Sequence, residues 1–175
     1  MSDLRDQIRS HENAFQRLLD AIPGFDGYRE REIRRTADKL LREHLVAELD
    51  RVRAKLRDIV GQWSRAGRLE MLDDIDRLSR LMGKARDSLR FADYGYTGFF
   101  DAIKIKEEQL DQLYEYDLSL RELIVACDTA VDELGAAGEE ALAEKMKAVE
   151  AAIGQLQETI DRREQVAAAA VATDA

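Results

Sequence analysis

The chain contains 175 residues, of which 36% are charged and only 6% are aromatic, and its formal net charge is −9. A chain of this length is most simply one domain, and a composition rich in Ala, Leu, Glu and Arg favours long helices. The net negative charge disfavours nonspecific binding to the phosphates of nucleic acid, so we expect no nucleic-acid partner.

The sequence also bears on the cellular location. Cys127 is the only cysteine, which excludes an intrachain disulfide. No apolar run approaches the roughly 20 residues that cross a bilayer, and the opening residues, "MSDLRDQIRS", lack the apolar core of a signal peptide. We therefore expect a cytoplasmic protein.

Apolar residues recur with heptad spacing in five blocks, and each block predicts one helix. The first block consists of Leu4, Ile8, His11, Phe15, Leu18 and Ile22. The second block consists of Ile33, Ala37, Leu40 and His44 and then, shifted by one residue, Leu45, Leu49, Val52, Leu56, Ile59 and Trp63. The third block consists of Met71, Ile75, Leu78, Met82, Ala85, Leu89 and Ala92.

The remaining two blocks lie in the acidic half of the chain. The fourth consists of Ile103, Lys106, Leu110, Leu113, Asp117, Leu120, Ile124, Cys127, Val131 and Leu134. The fifth consists of Leu142, Met146, Val149, Ile153, Leu156 and Ile160. Lys106 and Asp117 interrupt the apolar stripe of the fourth block, so each needs a partner from another helix.

These blocks predict an all-α fold, an elongated antiparallel helical bundle or coiled coil of about five helices. Residues 1–134 form the bundle, and residues 135–165 form a C-terminal helix that pairs with the fourth helix. We expect this acidic hairpin to project beyond the rest. Residues 166–175, with no polar face, are predicted to be a disordered tail.

Two breaks between helices, "PGFDGYRER" and "ADYGYTGFFDAIKIK", contain most of the aromatic residues. One interpretation is a lid that folds back over the end of the core; the other is a docking surface for a protein. The candidate partner-binding residues are Phe25, Tyr28, Tyr94, Tyr96, Phe99 and Phe100.

Charge is distributed unevenly along the chain. Residues 29–68 contain twelve Lys and Arg against seven Asp and Glu, whereas residues 101–175 contain seven against eighteen. A basic face is predicted on the second helix from Arg31, Arg34, Arg35, Lys39 and Arg42. This face can be simply solvated, can bind the acidic hairpin, or can bind an anionic surface such as a membrane.

Residue patterns for catalysis or metal binding are weak. His11 and His44 lie on apolar stripes and lack the further ligands that a metal site requires, so we interpret them as structural. Cys127 lies between apolar residues of the fourth helix and is expected to pack as a small apolar group. We therefore predict no catalytic residue, no metal site and no cofactor.

The segments "IPGFDGYREREIRRTADKLLREHL" and "ADYGYTGFFDAIKIKEEQLDQLYEYD" resemble a family of bacterial all-helical proteins, characterised by PGxxGY and GYxGxFD, that has no assigned activity. The resemblance covers residues 22–117. It implies an association with membrane-scaffold proteins of the stomatin, prohibitin and flotillin type, and it transfers no functional residue.

The sequence thus favours a non-enzymatic coiled-coil scaffold or adaptor that self-associates as a homo-oligomer or binds another helical protein. One alternative is a peripheral membrane adaptor that uses the basic helix. Another is a helical bundle that binds a metal or a small ligand in its interior.

Overall fold

The computed structural model describes residues 31–92 and 107–172. These two ranges contain the long helices α1 (Arg31–Arg65), α2 (Leu72–Phe91), α3 (Glu107–Ala136) and α4 (Leu142–Ala172). Single turns of 3₁₀ helix, Leu69–Met71 and Glu139–Ala141, precede α2 and α4. No strand occurs within the two ranges, which confirms the all-α prediction. The first predicted helix lies outside the described residues.

The heptad stripes form the core. The apolar stripe positions that are buried are Leu45, Leu49, Val52, Leu56, Ile59, Trp63, Ile75, Leu78, Met82, Ala85, Leu89, Ala92, Leu113, Leu120, Ile124, Cys127, Val131, Leu134, Leu142, Val149, Ile153, Leu156 and Ile160. Burying a side chain of this size contributes about 1.5–3 kcal/mol, so these stripes are the main source of stability. At the start of the second stripe, Leu41 is buried and His44 is only half-buried.

The turn after α1 has a defined hydrogen-bonding pattern. The amide of Arg68 donates to the carbonyl of Trp63 (2.9 Å), and the amide of Gly67 donates to the carbonyl of Ser64 (3.2 Å). Gly67 has a φ of 74°, the left-handed conformation that this helix-ending motif requires and that glycine adopts without strain. The turn reverses the chain and makes α1 and α2 an antiparallel hairpin.

The four helices form two hairpins that lie side by side. α3 and α4 make the second antiparallel hairpin, and across the interface α1 packs on α3 while α2 packs on α4. Lys55 contacts Asp128, and farther along α1 Ile59 lies against Gly135. Because the residue numbers increase together on both helices, α1 and α3 are parallel and both turns lie at the same end.

Two predictions about the C-terminal half were wrong in part. The acidic hairpin does not simply project, because α4 packs against α2, with contacts at Arg77 and at Ser88. The predicted disorder after Gln165 also differs from the structure: α4 continues to Ala172, and Ala167 is buried. Alanine has the highest helix propensity, and α3 provides a surface on which the last turns pack.

Candidate interaction surface

A groove of about 430 Å³ lies between α1 and α2. Its lining residues are Arg42, Glu43, Val46, Ala47, Asp50, Arg86 and Arg90. They come from the middle of α1 and the last two turns of α2, so the antiparallel pairing of these helices builds the groove. It combines the apolar residues Val46 and Ala47 with charged side chains, including three arginines, a residue type enriched at protein interfaces.

Arg86 is fixed at the centre of the groove. Its Nε and Nη2 atoms each lie 3.2 Å from a carboxylate oxygen of Asp50, and Nη1 donates to Asp87 at 2.7 Å. The hydrogen bond to Asp87, and then the one to Asp50, raise the pKa of Arg86. Arg86 is therefore a permanently charged, oriented group.

Arg90 forms the rim of the groove where α2 ends, and Phe91 follows it as the last residue of α2. The guanidinium carbon of Arg90 lies 5.7 Å from the centre of the Phe91 ring, within the distance for a cation–π interaction. Phe91 is 52% exposed, the largest exposed fraction among the large apolar side chains of the described residues. An exposed aromatic ring beside an arginine is a combination enriched at protein interfaces.

A buried ion pair lies near the level of this rim. Nε of Arg163 on α4 donates to Oδ1 of Asp117 on α3 at 2.6 Å, and Nη2 lies 3.3 Å from Oδ2. Only 4% of Arg163 and 1% of Asp117 are exposed. The prediction that Asp117 has a partner on another helix is confirmed, whereas Lys106 lies outside the described residues.

Ion pairs also join the two hairpins. Nζ of Lys55 lies 2.7 Å from Asp128 and 2.8 Å from Asp132, and Arg77 of α2 forms two hydrogen bonds with Glu150 of α4. The hydrogen bond to Asp128 and then that to Asp132 raise the pKa of Lys55, while Arg77 lowers the pKa of Glu150. Lys55 of the basic segment, residues 29–68, thus pairs with two carboxylates of the acidic segment, residues 101–175, within one chain.

The described residues that were weighed as candidates for catalysis or metal binding, Cys127 and His44, occupy buried or half-buried positions in the helices. Cys127 is fully buried, and burial, with a smaller contribution from the charge of Asp128, raises the pKa of its thiol to about 12. At neutral pH it is therefore a thiol rather than a nucleophilic thiolate. His44 is half-buried and its Nε2 lies 3.3 Å from Glu48 on the next turn of α1. His11 lies outside the described residues.

The predicted partner-binding residues are not described by the structure. These are Phe25, Tyr28, Tyr94, Tyr96, Phe99 and Phe100. Of the predicted basic face, Arg42 is only 6% exposed, so it does not belong to a solvated surface. The other four members, Arg31, Arg34, Arg35 and Lys39, lie in α1, and their side chains are outside the described part.

Sequence reasoning missed the groove. Arg86 and Arg90 are four residues apart near the end of α2, which places them on one face of that helix. Their spacing was therefore visible, but the position of Asp50 opposite them depends on the register of α1 against α2. No motif in the sequence predicts the register of α1 against α2.

No protein-family model, curated protein or solved structure matches this chain. Within residues 31–92 and 107–172, no helix combines the length and apolar character needed to cross a membrane. In the same ranges, no three His, Cys, Asp or Glu side chains are grouped so as to hold a metal ion.

Proposed function

We propose that this protein is a non-enzymatic, cytoplasmic scaffold or adaptor that acts through self-association or by binding another helical protein. The groove between α1 and α2 is the surface through which it binds. The single observation that supports this most strongly is the groove itself, in which two carboxylates hold Arg86 near the apolar residues Val46 and Ala47.

The interior of the bundle supports the same proposal. A continuous apolar core extends through all four helices, and the buried Asp117 and Arg163 bind each other across it. Cys127 is part of this core. An interior filled in this way gives stability, and it leaves recognition to the surface.

The groove suits a helix that carries both apolar and acidic side chains. Val46 and Ala47 can contact apolar residues of such a helix, and Arg90 at the rim can pair with an acidic residue. The acidic α3–α4 hairpin of a second copy provides that chemistry, as does a helix of another protein. The single cysteine is compatible with a reducing compartment.

Sedimentation velocity at several protein and salt concentrations tests self-association, and titration with a candidate helical partner tests heterotypic binding. We expect Arg90→Glu to weaken association at least about tenfold, since it places a negative charge opposite an acidic residue of the partner, and like-charge juxtaposition at an interface costs several kcal/mol. Association should also weaken as salt rises, because charged groups contribute.

Arg68→Glu is the matched control, since it makes the same charge change at an exposed position of the turn after α1, outside both the groove and the α3–α4 hairpin. It should leave association unchanged. A chain that stays monomeric under every condition and binds no helical partner would contradict the proposed function. Equal weakening by Arg90→Glu and Arg68→Glu would contradict the assignment to the groove.

A further inference from the structure

The groove between α1 and α2 has an excess of positive charge. Three arginines line it against two acidic residues, Glu43 and Asp50. The charge of Asp50 is compensated from two sides, because Nε of Arg86 lies 3.2 Å and Nη1 of Arg53 lies 3.6 Å from its Oδ1 atom. Arg90 at the rim is exposed, so a carboxylate that enters from outside can reach it. The groove therefore favours an acidic occupant.

The groove has room for a short segment. Its volume is about 430 Å³, which lies within the range of roughly 300–1,000 Å³ that is typical of small-molecule pockets. Val46 and Ala47 are its apolar lining residues, so the apolar contact that it offers is also small. Space of this size takes a few side chains from a turn or from the start of a helix, rather than the whole face of a long helix.

The turn between α3 and α4 has chemistry that matches the groove. Glu139 and Glu140 belong to the 3₁₀ turn that precedes α4, and Glu144 lies in the first turn of α4. All three side chains are exposed, as are Gly138 and Ala143 beside them. Glycine and alanine add little bulk around the carboxylates, so this turn can approach another surface closely.

Other carboxylates of the α3–α4 hairpin are engaged within the chain. Those with a lysine or arginine partner are Asp117, Asp128, Asp132, Glu133, Glu150 and Glu158. Lys145, the first basic residue after the turn, lies 2.8 Å from Glu133. Glu139 and Glu140 therefore remain available to a partner outside the chain.

The groove and the turn cannot meet within one chain. Ile59 lies against Gly135 at the start of the α3–α4 turn, and it is twelve residues beyond Ala47 on α1. Twelve helical residues span roughly 18 Å. The groove is also part of the α1–α2 hairpin, whereas the turn belongs to the other hairpin. A contact between them must therefore join two copies of the chain.

We propose that the α3–α4 turn of a second copy of this chain occupies the groove, where Glu139 and Glu140 pair with Arg90. This inference rests on the proposed function and names the partner of that same surface. The two contacting surfaces are different, so the contact is heterologous. Each assembly then has an unfilled groove at one end and an unfilled turn at the other, and it grows beyond the dimer in head-to-tail order.

Sedimentation velocity of the full chain tests the role of the turn. Glu139→Lys with Glu140→Lys should weaken self-association at least about tenfold, because it places positive charge opposite Arg90. Asp73→Lys with Asp74→Lys is the matched control, since it makes the same charge change at exposed positions in the first turn of α2. The control should associate like the unsubstituted protein. Equal weakening by the two pairs of substitutions would overturn the proposal.

Mixing two deficient variants tests the head-to-tail order. Ala47→Trp fills the groove from an exposed position, so it should keep the helical content, which circular dichroism measures. This variant and the Glu139→Lys, Glu140→Lys variant should each be monomeric where the unsubstituted protein assembles. Their mixture should form a one-to-one dimer and nothing larger, since one variant keeps its turn and the other keeps its groove. A mixture that stays monomeric would overturn the proposal, as would unsubstituted protein whose assembly stops at the dimer.

The proposed function and this inference can be told apart when they fail. If Arg90→Glu weakens association and the Glu139→Lys, Glu140→Lys variant does not, the groove has another occupant, and only this inference is wrong. If a helical partner binds the groove while the chain alone stays monomeric, the proposed function again stands without this inference. If neither Arg90→Glu nor Ala47→Trp weakens association, the assignment to the groove is wrong and both fail.

Discussion

At the scale of single residues, the buried pair of Asp117 and Arg163 is the feature with the largest energetic consequence. Both side chains are almost completely removed from solvent and share two hydrogen bonds. Removing one partner breaks both hydrogen bonds of a desolvated pair and leaves one buried charge, whereas replacing both with apolar groups removes the two charges together. The pair is therefore expected to specify how α3 and α4 align more than it adds stability.

Substitution of this pair should be strongly non-additive. We expect Asp117→Leu and Arg163→Leu each to lower the free energy of unfolding by about 3–5 kcal/mol, and the double variant to lie close to the unsubstituted protein. Urea unfolding of the four proteins measures the coupling. Additive single effects would show that the two residues do not act as a pair.

Sequence reasoning reached part of this residue-level picture. Asp117 interrupts an apolar stripe, so its need for a partner on another helix was predictable. Its partner was not, because Arg163 follows the last apolar position of the fifth block and looks like a surface residue there. Arg42 was predicted to lie on a basic surface face and is instead buried, because burial near a helix end depends on neighbouring helices that local periodicity does not specify.

At the scale of the elements, Gly154 and Gly67 differ in backbone conformation. Gly154 lies within α4, and a β-carbon there would meet no atom within 4 Å. Gly67 also has open space, but its φ of 74° is unfavourable for other residues. The first glycine weakens a helix, whereas the second allows α1 to end.

Alanine at these two positions should therefore have opposite effects. We expect Gly154→Ala to raise the free energy of unfolding by up to about 1 kcal/mol through helix propensity, and Gly67→Ala to lower it by about 1–2 kcal/mol through strain in the left-handed conformation. Thermal or urea unfolding measures both. Stabilisation by Gly67→Ala would show that the turn has a different conformation.

The helices themselves were largely predictable. Four of the five blocks correspond to α1 to α4, because heptad spacing reports directly which face is buried. The ends were less predictable. The sequence suggested that the chain becomes disordered after Gln165, but packing on α3 and the propensity of alanine extend α4 to Ala172.

At the scale of the whole molecule, the ion pairs between the hairpins match one alignment of the two. Lys55 lies between Asp128 and Asp132, and Arg77 pairs with Glu150 on the other side of the bundle. Heptad stripes alone permit parallel or antiparallel packing of two hairpins. That choice was not predictable from the sequence, since it depends on which charges meet across the interface.

Lys55 should make stability depend on pH at the alkaline end. Its pKa in the folded protein is raised above the ordinary lysine value of 10.5 by the hydrogen bonds to Asp128 and Asp132, so its contribution is complete below 10.5 and is lost as the pH rises through the folded-state pKa. At neutral pH, Lys55→Met should cost less than about 1 kcal/mol, because the pair is partly exposed.

The measurement is urea unfolding of both proteins at pH 7 and at alkaline pH. The difference in free energy of unfolding between the unsubstituted protein and Lys55→Met should shrink as Lys55 loses its proton. Lys147→Met on the exposed face of α4 serves as the control and should behave like the unsubstituted protein at both pH values. A difference for Lys55→Met that grows with pH would contradict the assigned ion pairs.

The parallel arrangement of the two hairpins determines where the turns and the groove lie. Disulfide formation between α1 and α3 tests it most directly. A β-carbon at position 135 would lie 3.5 Å from Cγ1 of Ile59, so Ile59→Cys with Gly135→Cys should form an intrachain disulfide in a Cys127→Ala background. Ile59→Cys with Leu113→Cys, near the other end of α3, should form none. Oxidation of the second pair but not the first would show that the hairpins are antiparallel, and would contradict this account.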